Sequence, residues 1–168
     1  MSEKIYSEED FMREALEQAK LAYQLEETPI GAIVVREGEI VGRGFNRRET
    51  GKNALYHAEI LAINEACQRL GGWRLWQCEL YVTLEPCPMC AGAIIHSRLK
   101  KVIFGAYDKK GGACASVTNL FDMPFNHKPA VTGGILEEEC SALIKQFFKE
   151  LREKKKAETK SESKMELI

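Results

Sequence analysis

No stretch of the 168-residue chain approaches the ~18 consecutive apolar residues that a membrane-spanning helix requires. Met1-Ser2-Glu3-Lys4 leads into no hydrophobic segment of the kind that directs export, so the cytoplasm is the expected compartment and no membrane partner is expected. Net charge is nearly absent too. A formal −1 at pH 7 neither marks nor excludes a polyanionic partner, because the distribution of charge counts for more than its sum. No internal repeat is visible. Also missing is a fourth Cys or His at metal-ligand spacing beside the three named below, which argues against a closed structural metal site.

What is present is enough apolar material, 45% of residues, for one domain with a real core. The six cysteines would suggest disulfides in a small exported protein. Without an export signal they are expected to be reduced, and paired Cys-x-x-Cys spacing points to metal or redox chemistry. Cys67, Cys78, Cys114 and Cys140 fall on apolar helix faces, at a strand start or in a small-residue loop, where a buried thiol serves as a small hydrophobe.

In chain order, Ser7 reads as an N-cap with Asp10 three residues on. Phe11, Ala15, Leu16, Ala19, Ala22 and Tyr23 then recur at helical spacing until Pro29. Residues 30–35 and 39–45 form a β-hairpin turned at Arg36-Glu37-Gly38. A polar loop carrying Arg47, Arg48 and Lys52 delivers the chain to His57, where a second helix runs to Gly71-Gly72. Cys78 to Leu84 is a strand, and Pro88 starts the next helix. Lys101 to Ala106 is a strand, Asn119 to Phe121 a short helical turn, and Val131 to Leu136 a last strand before a helix from Glu137 through Leu151. This order predicts an α/β fold, a mixed sheet of about five strands with helices on both faces and the first pair antiparallel. One domain is expected over residues 1–157, followed by a disordered polar tail at 158–168.

Two stretches make chemical sense only together: His57-Ala58-Glu59 and Pro86-Cys87-Pro88-Met89-Cys90. A hydrolytic zinc site takes three nitrogen or sulfur ligands from the protein and leaves one corner open. His57, Cys87 and Cys90 supply those three. Glu59 is too close to the histidine for an independent ligand, yet near enough to move the protons of an attacking water. Both stretches open helices, where the positive end of the dipole favours thiolate over thiol.

These residues carry a resemblance. His57-Ala58-Glu59 with Pro86-Cys87-x-x-Cys90 is similar to the signature of the zinc-dependent nucleobase deaminases. Thr83-Leu84-Glu85-Pro86-Cys87-Pro88-Met89-Cys90-Ala91-Gly92-Ala93, Phe104-Gly105-Ala106 and Gly134-Ile135-Leu136 resemble the bacterial transfer-RNA adenosine deaminases, over roughly Ser7 to Arg152. Free-cytidine deaminases usually carry Cys where this chain has His57. The resemblance implies a cytidine-deaminase-like three-layer α/β/α fold, one Zn²⁺ per subunit, a homodimer, and conversion of adenosine to inosine at the first anticodon position of a transfer RNA. Glu59 would then shuttle a proton from water to N1 of adenine and help the amine leave as ammonia. The substrate would be an anticodon stem-loop, whose bases splay out at low cost.

Further residues enter through the resemblance. Asn46 would hydrogen-bond the nucleotide, although by itself it is equally an asparagine in a turn. Asp108 would contact RNA, or be a solvated loop carboxylate. Asn126 and His127 match a polar pair near the nucleotide. Arg152 and the lysines beyond Phe147-Phe148 could face an RNA loop, although Lys-rich tails are usually solvated. His96 reads as a cap or subunit contact. A deaminase of a free nucleobase or nucleotide shares the chemistry and stays open as the alternative. A zinc-stabilised binding module lacks its fourth ligand.

Overall fold

Ser7 caps the first helix in both directions: its Oγ accepts from the Asp10 N–H at 3.1 Å, and its own N–H donates to the Asp10 carboxylate at 2.9 Å. From this capping box α1 (Glu8–Gln24) runs with Phe11, Met12, Ala15, Leu16, Ala19 and Ala22 buried. The computed structural model describes residues 5–165. In it the hairpin follows as β1 (Gly31–Arg36) and β2 (Glu39–Phe45), then α2 (Ala58–Leu70), β3 (Cys78–Leu84), α3 (Pro88–His96) and β4 (Lys101–Ala106). A short 3₁₀ turn (Leu120–Asp122) precedes β5 (Ala130–Gly133) and α4 (Glu137–Met165).

The sheet order is β2-β1-β3-β4-β5. β1 pairs antiparallel with both β2 and β3, whereas β3, β4 and β5 are mutually parallel. Side chains alternate across the sheet, as period-2 strands must. Ala32, Val34, Leu80, Val82, Val102 and Phe104 meet Ala58, Ala62 and Ala66 of α2 and Ala91, Ile94 and Ile95 of α3. Ile33, Val35, Tyr81 and Ile103 meet Phe11, Met12 and Leu16 of α1 and Cys140 of α4. Helices on both faces make three layers, α/β/α, the architecture that the resemblance implies. The central strands, buried on both faces, have the near-continuous apolar runs such a position demands.

Two expectations need correction. β5 ends at Gly133 rather than at Leu136, because the backbone enters the left-handed region at Gly134 (φ 87°) and Leu136 (φ 51°), which breaks the ladder. The tail expected to be disordered from residue 158 is helical as far as Met165, and residues 166–168 lie outside the described residues. Apolar anchoring was the wrong criterion there. Ala157, Lys160, Lys164 and the intervening glutamates are good helix formers, and they prolong a helix already nucleated against the sheet. Among the described residues no helix is long and apolar enough to cross a membrane.

Candidate metal centre and base pocket

Both halves of the site are helix N-termini beyond one edge of the sheet. β3 ends at Leu84 and hands the chain through Glu85-Pro86 to Cys87, the N-cap of α3. Pro88 occupies the next position, where a missing N–H costs nothing. Cys90 follows at the third helical position and is fully buried. His57 is likewise the N-cap of α2, with Glu59 two residues on. Neither cap side chain bonds the backbone of its own helix. The imidazole and thiol are therefore free to face each other.

His57 Nδ1 lies 3.6 Å from Cys87 Sγ and 3.7 Å from Cys90 Sγ, and the three donor atoms are all within 4.8 Å of one another. A tetrahedron with Zn–S bonds of about 2.3 Å and a Zn–N bond of about 2.0–2.1 Å has an N···S edge of about 3.6 Å. Donor type and spacing thus fit zinc, with one corner left open. Electrostatics point the same way. Cys87 is lowered to about 4, mainly by its hydrogen bond with Cys90, with His57 contributing against the cost of burial. Cys90 is pushed up by that same bond and by burial. The one hydrogen bond between the two thiols thus moves them in opposite directions. His57 is raised by its contact with Cys87, with burial opposing.

Glu59 is 4% exposed. Burial pushes its carboxyl up to about 7, against its own backbone N–H, and negative charge on Cys87 adds to the rise. A carboxyl poised there exchanges protons readily near neutrality. It lines a concave pocket of about 160 Å³ together with Asn46, Arg48, His57, Cys87 and Asp108. Asn46 sits in a turn on the pocket wall. Its Oδ1 accepts from the Arg48 N–H at 3.2 Å in a turn, its Nδ2 donates to the Thr28 carbonyl at 3.2 Å, and the fixed amide faces the pocket. Asp108 stands on the wall formed after β4.

Three expected residues are not brought there. The His127 ring bonds the Leu99 carbonyl at 2.7 Å, where the chain enters β4, and exposed Asn126 precedes it. The pocket opens beyond the other end of that strand, roughly 20 Å away for six extended residues. Arg152 is exposed on α4 and His96 is exposed at the end of α3. All six cysteines are free thiols.

Sequence reasoning missed two buried carboxylates. Glu27 accepts from the Thr50 N–H at 2.6 Å and ties the loop before His57 to the end of α1. Glu85, 2% exposed, accepts from the loop after β4. Burial alone would raise its pKa, but the Ser116 hydroxyl and the N–H groups of Ser116, Asp108 and Ala115 outweigh that and hold it low. An acidic residue directly after an apolar strand, two positions before a ligand cysteine, was the available signal.

A mixed five-stranded sheet with helices on both faces, carrying a His-Cys-Cys triad and a buried glutamate at two helix starts, defines a hydrolytic deaminase scaffold. Comparison with known proteins agrees. The profile of the MafB19-like deaminases matches residues 6–152. The chain is 52% identical over 155 residues, 92% of its length and 96% of the other, to the tRNA-specific adenosine deaminase of Bacillus subtilis (strain 168). A structure from work on A-to-I editing by tRNA:A34 deaminases at the wobble position of transfer RNA superposes with a TM-score of 0.77 at 42% identity, covering 79% of this chain and 97% of that one. The guanine deaminase of Nitrosomonas europaea gives a TM-score of 0.71 at 25% identity, with 86% of each chain covered. The chain belongs to the MafB19-like deaminase family and, within it, to the tRNA-specific adenosine deaminases.

Proposed function

We propose that this protein converts adenosine to inosine at the wobble position of a transfer RNA, with one zinc ion per chain held by His57, Cys87 and Cys90. The observation that carries the reading is the buried Glu59 carboxyl beside the donor triad on the pocket wall, in a chain half identical to a tRNA-specific adenosine deaminase. When bound, zinc supplies the Lewis acidity that makes water nucleophilic at neutral pH. Glu59 accepts a proton as the water oxygen bonds to adenine C6, and delivers it to N1 so that the ring can take up the electron pair. It then carries the second water proton to the exocyclic amine. The C6–N6 bond breaks, ammonia leaves, and adenosine plus water has become inosine plus ammonia.

Asn46 holds the base edge from one wall, its geometry already set by Thr28 and Arg48. Asp108 faces the nucleotide from the loop after β4. The base enters flipped out of the anticodon loop, where unstacking is cheap. Arg152, exposed on α4 among lysines, meets RNA phosphates. The exposed Met123 and Phe125 offer apolar surface for a second copy in a homodimer. One catalytic domain runs through α4, and the enzyme works in the cytoplasm, where its substrate is found.

The test is incubation of the purified zinc protein with an unmodified transfer RNA bearing adenosine at the wobble position, followed by sequencing. Inosine at that position and nowhere else is expected. Ammonia release from free guanine, adenosine or cytosine without inosine in the RNA would overturn the assignment. The free-base alternative is not favoured, since identity to the guanine deaminase is half that to the RNA enzyme.

A further inference from the structure

Glu85 belongs to neither the metal triad nor the proton path, yet its carboxylate is buried at the edge of the site with five donors around it. Its Oε1 accepts from the N–H groups of Cys114, Ala115 and Ser116 at 3.2, 2.7 and 2.8 Å. Its Oε2 accepts from the Asp108 N–H at 3.0 Å and the Ser116 hydroxyl at 2.5 Å. The loop between β4 and the 3₁₀ turn is thus wound around one anion. Gly112 shows how tightly: a Cβ there would stand 2.3 Å from the Glu85 carboxyl carbon and 2.6 Å from the Asp108 carbonyl, so the loop closes only over a glycine. The backbone of Glu85 is fixed in turn, its N–H donating to the Ala106 carbonyl at 2.8 Å, while the Pro86 carbonyl accepts from Ala113 at 2.8 Å.

The two ends of this arrangement face the same pocket. Leu84, Glu85 and Cys87 line it from the end of β3 and the turn after it, and Asp108 lines it from the start of the loop after β4. The Asp108 carboxylate is itself oriented, accepting from the N–H groups of Lys110 and Gly111 at 3.0 and 3.1 Å. The Oε2 link to the Asp108 N–H therefore ties the one loop residue that lines the pocket to the turn two residues before Cys87.

We propose that Glu85 is a positioning residue for substrate: through Asp108 it fixes the width of the base pocket, and so acts on nucleotide binding rather than on the chemical step. The inference rests on the deaminase reading above for what the pocket holds. It makes a specific statement about Glu85→Gln. The amide oxygen can keep the three N–H donors of Cys114, Ala115 and Ser116, which places the amide nitrogen where Oε2 was. The Ser116 hydroxyl can turn and accept from that nitrogen, but the Asp108 N–H then faces a second donor. The substitution cuts one link and spares the others.

The experiment combines steady-state kinetics on a stem-loop with a wobble adenosine, zinc content, and amide hydrogen exchange by NMR. For Glu85→Gln, KM is expected to rise about tenfold, the loss of one hydrogen bond to a charged group, with kcat within about threefold and zinc fully retained. Exchange at the Asp108 amide should quicken about tenfold or more, while Ala115 and Ser116 stay protected. In an Asp108→Ala background the same change should add less than about twofold, since residues acting through one another are not additive. Ser116→Ala, which removes one donor and leaves the carboxylate, should shift KM and exchange in the same direction by about twofold to threefold, and decides the matter should Glu85→Gln fail to fold. Unchanged KM and exchange would overturn the proposal. So would full additivity with Asp108→Ala, or a fall in kcat accompanied by zinc loss, which would make Glu85 a support of Cys87 instead. Should the wild-type protein form no inosine, the functional reading falls, and exchange at Asp108 still decides whether Glu85 holds the wall.

Discussion

Gly44 of β2 lies so close to Ala58 of α2 that a Cβ on the glycine would stand 2.3 Å from the Ala58 carbonyl oxygen. Ala58 sits between His57 and Glu59, and its own side chain is fully buried. The seat of α2 on the hairpin therefore fixes where the imidazole and the proton-carrying carboxylate stand.

Gly44→Ala should push the first turn of α2 off the sheet. Overpacking of this kind costs about 1–3 kcal/mol, read as a lower denaturant midpoint at unchanged slope. A displacement approaching 1 Å at Glu59 should lower kcat by tenfold or more, up to about 10². Unaltered stability and turnover would show that the helix start tolerates the shift.

Glu59→Gln keeps the shape of the side chain and removes its proton chemistry. Turnover should fall by about 10²–10⁴, the range for loss of a general acid–base, while the zinc content stays at one per chain. Loss of metal in this variant would recast Glu59 as a ligand. Its burial beside the triad, without any need for it as a donor, is the reason to expect retention.

Much of this was legible in the sequence because the signals were local. Ser7 with Asp10, Pro88 after Cys87, and the apolar run at residues 101–106 each specify backbone behaviour within a few positions, and the triad is readable because zinc chemistry tolerates few donor sets. What escaped depended on distance through space. Glu85 looks like a turn residue until the loop at 112–116 folds over it. His127 looked like a nucleotide contact, yet the register of β4 and β5 carries it to the opposite sheet end. The length of α4 escaped for a different reason: a polar tail stays ordered where helix propensity prolongs a helix that is already nucleated.

Cys87→Ala removes a thiolate whose Sγ is 3.6 Å from His57. Zinc per chain should drop well below one in metal analysis after dialysis against a weak chelator, with helical content retained, because the fold does not hang on the metal. Two apolar clusters, one on each face, hold the sheet to its helices without it. Unfolding on zinc removal would instead make the site structural.

α4 is fastened to α1 at its solvent side. Tyr23 donates to Glu150, Lys154 pairs with Glu26, and the Tyr23 ring packs edge-on against Phe147 at 5.6 Å. The hydrogen bond to Glu150 raises Tyr23 to about 12, while Glu150 and Glu26 are lowered by Tyr23 and Lys154 respectively. The signs give a window. A raised tyrosine contributes stability that is complete below its unfolded value near 10 and is lost as pH climbs through about 12. Lowered carboxylates contribute stability that is complete above their unfolded value near 4.3 and is lost as pH falls through the lower folded one. The clamp should hold at full strength from about pH 5 to about pH 9.5, and salt should weaken it, since the pairs are exposed. An NMR titration of the Tyr23 ring should give a midpoint near 12, falling toward 10 in Glu150→Gln. A midpoint near 10 in the unaltered protein would mean that the phenol is not bound to Glu150 in solution, and that α4 docks through its apolar side chains, Cys140, Leu143 and Phe147 among them.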